Sequence, residues 1–113
     1  MQKFNSVDEL VTNIRPVDPV YCIRPNSIKL ACAWFKSNFP GKILYAVKTN
    51  PNEKIIKHIG ESGINEFDVA SINEIKLIKK IFPKANVYYM NTVKSREHIR
   101  EAYFNYNIKD FVL

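Results

Sequence analysis

Ile43-Leu44-Tyr45-Ala46-Val47-Lys48-Thr49-Asn50-Pro51 decides the fold. Five apolar residues run without interruption and end on a lysine. A strand buried on both faces reads this way, and such strands belong to parallel sheets covered by helices. Working outward, Ser27 to Phe39 carries Ile28, Ala31, Cys32, Phe35 and Phe39 at helical spacing, and Pro40-Gly41 ends that helix. Before it, Val20-Tyr21-Cys22-Ile23 reads as a short strand stopped by Arg24-Pro25, behind a lead-in with Pro16 and Pro19.

Downstream, the same alternation repeats. Asn52 to Ser62 predicts a helix with Ile55, Ile56 and Ile59 inward and Gly63 at its carboxy-terminal cap. Glu66 to Ala70 predicts a strand. Ser71 opens a helix with Ile75, Ile78 and Phe82 on one face, ended by Pro83. Val87-Tyr88-Tyr89-Met90 is a third strand of the series, and Ser95 to Tyr106 a further helix with Ile99, Ala102, Tyr103 and Tyr106 inward. Asp110-Phe111-Val112-Leu113 begins another strand. The repeat of roughly 20–25 residues is that of βα units. Right-handed crossovers leave an open doubly wound sheet or part of a (β/α)8 barrel.

A complete barrel takes about 250 residues, whereas this chain has 113. Four units leave two strand edges unpaired and an inner face uncovered. The expectation is therefore a truncated barrel. Residues 1–24 form a lead-in with a short strand, and residues 25–113 the amino-terminal half of the barrel.

Composition narrows the function. No apolar run approaches the ~20 residues of a membrane span, and Met1-Gln2-Lys3-Phe4-Asn5 lacks the apolar stretch of a secretory signal. A cytoplasmic location follows as the expectation. The 17 basic and 11 acidic residues give a net charge of +6. The lysines are scattered over helix-like segments with no aromatic interleaving, so they read as solvated faces rather than a nucleic-acid stripe. Cys22 and Cys32 lack metal-ligand spacing and read as reduced, packed thiols.

Lys48 is the candidate for chemistry. In barrels and open α/β sheets the carboxy-terminal end of a strand faces the active site. A lysine in a partly dry place there loses preference for its ammonium form, and a neutral amine adds to a carbonyl to form a Schiff base. A lysine that merely ends a strand and reaches solvent has the same position.

The neighbouring motifs separate these readings. Tyr45-Ala46-Val47-Lys48-Thr49-Asn50-Pro51 is followed, twenty residues after the lysine, by Phe67-Asp68-Val69-Ala70-Ser71 and then Asn73-Glu74. The pair resembles the two signatures of the pyridoxal-phosphate-dependent ornithine, lysine and diaminopimelate decarboxylases, fold-type III enzymes on an alanine-racemase-like barrel. Pro19-Val20-Tyr21-Cys22, Trp34-Phe35, Asn38-Phe39-Pro40-Gly41, Val93-Lys94-Ser95-Arg96 and Ala102-Tyr103-Phe104 are similar to the bacterial ornithine and lysine members. The likeness runs from Arg15 to Leu113.

The resemblance implies pyridoxal 5'-phosphate as cofactor, with Lys48 as the lysine that holds it covalently as the internal aldimine. It implies that Asp68 stands beside the cofactor, Glu74 near the lysine and phosphate region, and Asn91 at the cofactor-facing rim. Residue chemistry keeps other roles open. Asp68 also suits a strand-end turn, Ser71 and Glu74 also form a capping box, and Asn91 also shapes the turn before Thr92. Thr49, Asn73 and Thr92 depart mildly from the family's pattern.

The family's ring-stacking His, its pyridinium-pairing Glu, its glycine-rich phosphate loop and its second-subunit residues match nothing up to Leu113. His58 and His98 fall inside predicted helices. The implied function is decarboxylation of ornithine or lysine to a diamine in polyamine biosynthesis, with this chain inactive alone or split. It would need a missing carboxy-terminal half or a homodimer partner, besides its small amino-acid substrate. The alternatives are a non-catalytic regulator built on the decarboxylase fold and a small basic binding module.

Overall fold

The computed structural model describes residues 2–113. Its elements alternate as expected from Pro25 onward. They are α1 (Val7–Ile14), α2 (Pro25–Asn38), β1 (Tyr45–Ala46), a 3-10 turn (Val47–Thr49), α3 (Glu53–Glu61), β2 (Glu66–Val69), α4 (Ile72–Ile81), β3 (Asn86–Tyr89), α5 (Arg96–Tyr106) and β4 (Asp110–Phe111). All neighbouring strands pair in parallel, in the order β1-β2-β3-β4. A doubly wound sheet reverses its direction of growth at a switch point. This sheet does not, so it is a stretch of barrel wall, about four βα units of a (β/α)8 fold.

Helix boundaries follow from caps. Asn52, Ser71 and Ser95 each accept a hydrogen bond from a backbone N–H of the first turn of α3, α4 and α5. At the far end of α3, Gly63 takes φ 88°. Its N–H donates to Gly60 O at 2.9 Å, and the Ile64 N–H donates to Ile59 O at 3.4 Å. This is the paired-bond ending that favours glycine, with Ile64 closing over Ile59 in a shared apolar cluster.

The sheet has one covered face. Phe67, Val69, Val87 and Tyr89 are buried with Ile56, Ile72, Ile75, Ile78 and Ala102 from the helices. On the alternate positions Glu66, Asp68 and Tyr88 are half-buried, while Asn86 and Asp110 are exposed. The expectation that Ile43 to Val47 is buried on both faces is therefore corrected. Only Val47 is buried, and Ile43, Leu44, Tyr45 and Ala46 are intermediate, because among the described residues no layer covers the second face.

Other expectations also change. Val20 to Ile23 forms no strand and pairs with nothing in the sheet. The lead-in instead contains α1, capped by the Ser6 hydroxyl and bearing Asp8 and Glu9 in its first turn. Cys22 is exposed rather than packed, whereas Cys32 is buried. Ala31, Phe35 and Phe39 on α2 and its carboxy-terminal cap, and Ile99 and Tyr103 on α5, are exposed. These two helices end the helical layer, α2 packing mainly on α3 and α5 mainly on α4. A helix with one neighbouring helix buries a narrower stripe than its apolar pattern offers. No helix of the described residues is long and apolar enough to cross a membrane.

Candidate cofactor site at the strand ends

Lys48 lies in the 3-10 turn immediately after β1. Three contacts shape that turn. Val47 beneath it is fully buried. The Thr49 hydroxyl donates to Ala46 O at 2.7 Å. The Tyr45 hydroxyl donates to Asn50 O at 3.0 Å. Asn50 and Asn52 then accept from the N–H groups of Asn52 and Lys54 and lead the chain into α3. Val47 thus anchors the end of the strand in the core, and the polar Thr49-Asn50-Pro51-Asn52 run that follows turns the chain while leaving the lysine outside.

Lys48 is exposed, and its amine has no hydrogen-bond or ion-pair partner among the described residues. The partly dry setting expected for it is not present, because the open face of the sheet continues past it. Asp68 sits in β2 with Ala46, two residues before Lys48, as its ladder neighbour. Asp68 is half-buried, and no hydrogen bond or ion pair engages its carboxylate among the described residues.

Glu74 is differently employed. Its carboxylate accepts from the Ala70 N–H at 2.7 Å, and its own N–H donates to the Ser71 hydroxyl at 3.2 Å. The capping box therefore forms, reaching one residue further back than the usual arrangement. Glu74 ties the end of β2 to the start of α4. With burial, its charge pushes the Tyr89 hydroxyl above its ordinary 10.0.

Asn91 is exposed in the loop after β3, where its side-chain amide donates to Val93 O at 2.8 Å. The strand order brings Lys48 and Asp68 to neighbouring strand ends and sets Asn91 one strand further on. His58 pairs with Glu61 at 3.4 Å within α3, and His98 is exposed on α5. Both lie in helices, as expected.

Two groupings escaped the sequence reading. At the rim, the Lys94 ammonium donates to the carbonyls of Asn91 and Val112 and lies 5.6 Å from the centre of the Tyr89 ring. On the open face, Lys42 donates to the Tyr88 hydroxyl at 2.8 Å, and that hydroxyl donates to Glu66 at 2.7 Å. The Asn86 amide donates to the other Glu66 oxygen at 2.8 Å, and Lys42 stands 3.9 Å from Glu66. Burial pushes the Glu66 carboxyl up. The hydrogen bonds from Tyr88 and Asn86 and the charge of Lys42 outweigh it and hold the group below 4.5. The hydrogen bond to Tyr88 first, and then the nearby Glu66 carboxylate, raise Lys42 above 10.5. A signal was available, since Lys42, Leu44 and Ala46 stand at alternate positions leading into the strand.

An aldehyde cofactor needs a reachable primary amine, and an unengaged lysine at a turn braced on both sides is such a group. The residues present fit pyridoxal phosphate in that respect, with Asp68 as the adjacent free carboxylate.

Comparisons with known proteins give the family. Residues 25–112 match the family described as pyridoxal-dependent decarboxylase, pyridoxal binding domain. A diaminopimelate decarboxylase of Aquifex aeolicus (strain VF5) is 31% identical over 86 residues, covering 74% of this chain and 20% of that protein. The crystal structure of lysine decarboxylase from Selenomonas ruminantium superposes with a TM-score of 0.79 at 23% identity, covering 98% of this chain and 29% of that one. That last likeness is one of fold. The chain spans under a third of the length of either relative. With the match over residues 25–112, the chain belongs to the pyridoxal-dependent decarboxylases, through the pyridoxal-binding domain of a family whose cofactor is pyridoxal phosphate.

Proposed function

We propose that this chain supplies the cofactor-anchoring wall of a decarboxylase acting on a basic amino acid, with Lys48 as the covalent anchor. The observation that carries the reading is the unengaged, exposed amine of Lys48 beside the strand that bears Asp68. Bound pyridoxal phosphate supplies an electron sink for the pair left behind when a carboxylate departs as CO2. The chain's own part is to bind and orient. Lys48 offers its amine to the cofactor aldehyde, and the braced turn limits where that amine reaches. Asp68 contributes a negative charge near it. Glu74 holds the junction between β2 and α4, and Asn91 lines the rim.

Ornithine or lysine, giving putrescine or cadaverine in polyamine synthesis, are the proposed substrates, with diaminopimelate the third candidate. The named relatives are a diaminopimelate and a lysine decarboxylase, which supports a basic substrate and leaves ornithine as our reading of the motifs. The reaction is proposed for the cytoplasm. Residues 1–113 alone are proposed not to decarboxylate at a useful rate, because electrostatic preorganisation is usually the largest catalytic term. The groups that tune the ring would come from further barrel units.

The test is to incubate the 113-residue protein with pyridoxal phosphate, reduce with borohydride and map the modified lysines by mass spectrometry. Preferential labelling of Lys48, abolished there in Lys48→Ala, is the expected result. Labelling spread evenly over the lysines would refute the anchor. Release of CO2 from ornithine or lysine by this chain, lost in Lys48→Ala, would refute its inactivity.

A non-catalytic regulator is the second reading. Leu30 and Trp34 on α2, 71% and 61% exposed, favour it as an apolar face suited to a partner. Unlabelled Lys48 together with stable association with an intact decarboxylase would select that reading.

A further inference from the structure

The strand that delivers Lys48 is weakly held. β1 has two ladder residues, Tyr45 and Ala46, and among the described residues pairs on one side only. Two residues of parallel pairing give its position along β2 little backbone support, and a slip of one residue would take Ala46 off its place opposite Asp68 and shift the turn that carries Lys48. The fully buried Val47 holds its far end, and its near end needs a second hold.

Lys48 follows two residues after β1 ends, in the 3-10 turn, and Lys42 lies three residues before β1 begins. Its ammonium does not stop at the neighbouring strand. It passes β2 and meets the Tyr88 hydroxyl of β3 at 2.8 Å, while Tyr88 donates back to Glu66 of β2 at 2.7 Å. Glu66 is also held by the Asn86 amide of β3. Three consecutive strands are thereby joined by side chains on the face that the helices do not cover.

The chemistry fits a register clamp. A lysine donates but does not accept, a carboxylate accepts but does not donate, and a tyrosine hydroxyl does both. Only Tyr88 can relay between the other two at hydrogen-bond distance, since Lys42 and Glu66 are 3.9 Å apart. In the slipped register Lys42 would point toward the helices and the relay would have no donor.

We infer that the Lys42–Tyr88–Glu66 relay is a positioning device, which fixes the register of β1 against β2 and β3, keeps Ala46 opposite Asp68 and so sets where the turn that carries Lys48 begins. The Lys48 part of this inference rests on the cofactor reading above.

The experiment uses the whole chain and its Lys42→Met, Lys42→Arg and Tyr88→Phe variants. Amide hydrogen exchange at Tyr45 to Val47 reads the clamp, and borohydride-trapped pyridoxal phosphate at Lys48 reads its consequence. In Lys42→Met and Tyr88→Phe, exchange in β1 should quicken by about threefold or more relative to α4, and the share of label on Lys48 should fall. Lys42→Arg should restore both, since arginine also donates to the hydroxyl. Unchanged exchange in β1, or equal acceleration throughout the sheet and helices, would overturn the clamp. Faster exchange with an undiminished Lys48 share would overturn its positioning role. A wild-type chain with protected β1 but no preference for Lys48 would sink the cofactor reading and leave the clamp standing as a register device alone.

Discussion

The Lys94 ammonium donates to the Val112 carbonyl at 2.6 Å, joining the loop after β3 to the end of β4. The same ammonium holds the Asn91 carbonyl and lies over the Tyr89 ring. One half-buried cation therefore gathers the ends of two strands whose ladder has only two register pairs, Tyr88 with Asp110 and Tyr89 with Phe111.

Removing that cation should loosen the rim before the core. A hydrogen bond to a charged group contributes roughly 1.5–3 kcal/mol, and partial exposure reduces it. Lys94→Met should cost about 1–2 kcal/mol in urea unfolding, with faster amide exchange at Val112. Lys94→Arg should lose less. Equal stability of Lys94→Met and wild type would show that the two carbonyls are as well served by water.

The Glu66 and Lys42 pair makes stability depend on pH at both ends. Glu66 titrates below its ordinary 4.5 in the folded chain, so its contribution is present above that value and is lost as pH falls through the lower folded value. Lys42 titrates above 10.5, so its contribution is present below that value and is lost as pH rises through the higher folded value. Neither changes between about pH 6 and 9. Thermal melts of wild type and Glu66→Gln should converge as pH is lowered below 4.5, because the wild-type carboxylate is then being neutralised. A constant gap down to acid pH would contradict this.

Two glycines are set by different constraints, and substitution separates them. At Gly63 the backbone has φ 88°, and an added Cβ would lie 2.7 Å from the Lys36 ammonium nitrogen. A side chain in left-handed backbone costs roughly 1–2 kcal/mol, and Gly63→Ala should destabilise by about that. Gly60 is helical, and there the obstacle is Phe82, whose ring atoms would lie 2.3 and 2.5 Å from the new Cβ. That ring stacks on the buried Phe67 at 6.1 Å. Gly60→Ala should cost about 1–3 kcal/mol by overpacking. Pairing it with Phe82→Leu should recover part of the loss, whereas the same pairing should not rescue Gly63→Ala.

What the sequence disclosed divides along physical lines. Helix and strand order from Pro25 onward, the Ser71–Glu74 capping box and the Gly63 ending were legible because each depends on neighbours a few residues away. The helix Val7–Ile14 was hidden behind the breakers Pro16 and Pro19, although Ser6 with Glu9 is itself a capping signal. The exposure of Phe35, Tyr103 and Lys48 was not legible. An apolar stripe states that a face can be buried, and a strand pattern cannot say whether its second face has a cover. The Lys42–Tyr88–Glu66 relay depends on register across three strands, which no local pattern encodes. For the candidate site, Lys48 at the end of one strand and Asp68 within the next were expected, their pairing as neighbours came from the sheet, and the employment of Glu74 in capping was expected only as one of two roles.

Glu74 permits a test that separates those roles. Its carboxylate accepts from Ala70 N–H at 2.7 Å, so Glu74→Ala should cost about 1 kcal/mol through the lost cap. Glu74→Gln keeps an acceptor oxygen for the same N–H and removes the charge. If Glu74 acts only as a cap, Glu74→Gln should keep both stability and the Lys48 share of borohydride-trapped pyridoxal phosphate near wild type. If its charge also serves the cofactor region, Glu74→Gln should keep the melting temperature yet shift the labelling pattern. The neighbouring Tyr89 gives an internal control. Its hydroxyl is raised above 10.0 first by burial and then by the Glu74 charge, so its titration should move downward in Glu74→Gln without returning to the ordinary value. A Tyr89 titration that stays put would mean that the Glu74 charge is screened from β3, and a labelling change in the same variant would then need another cause.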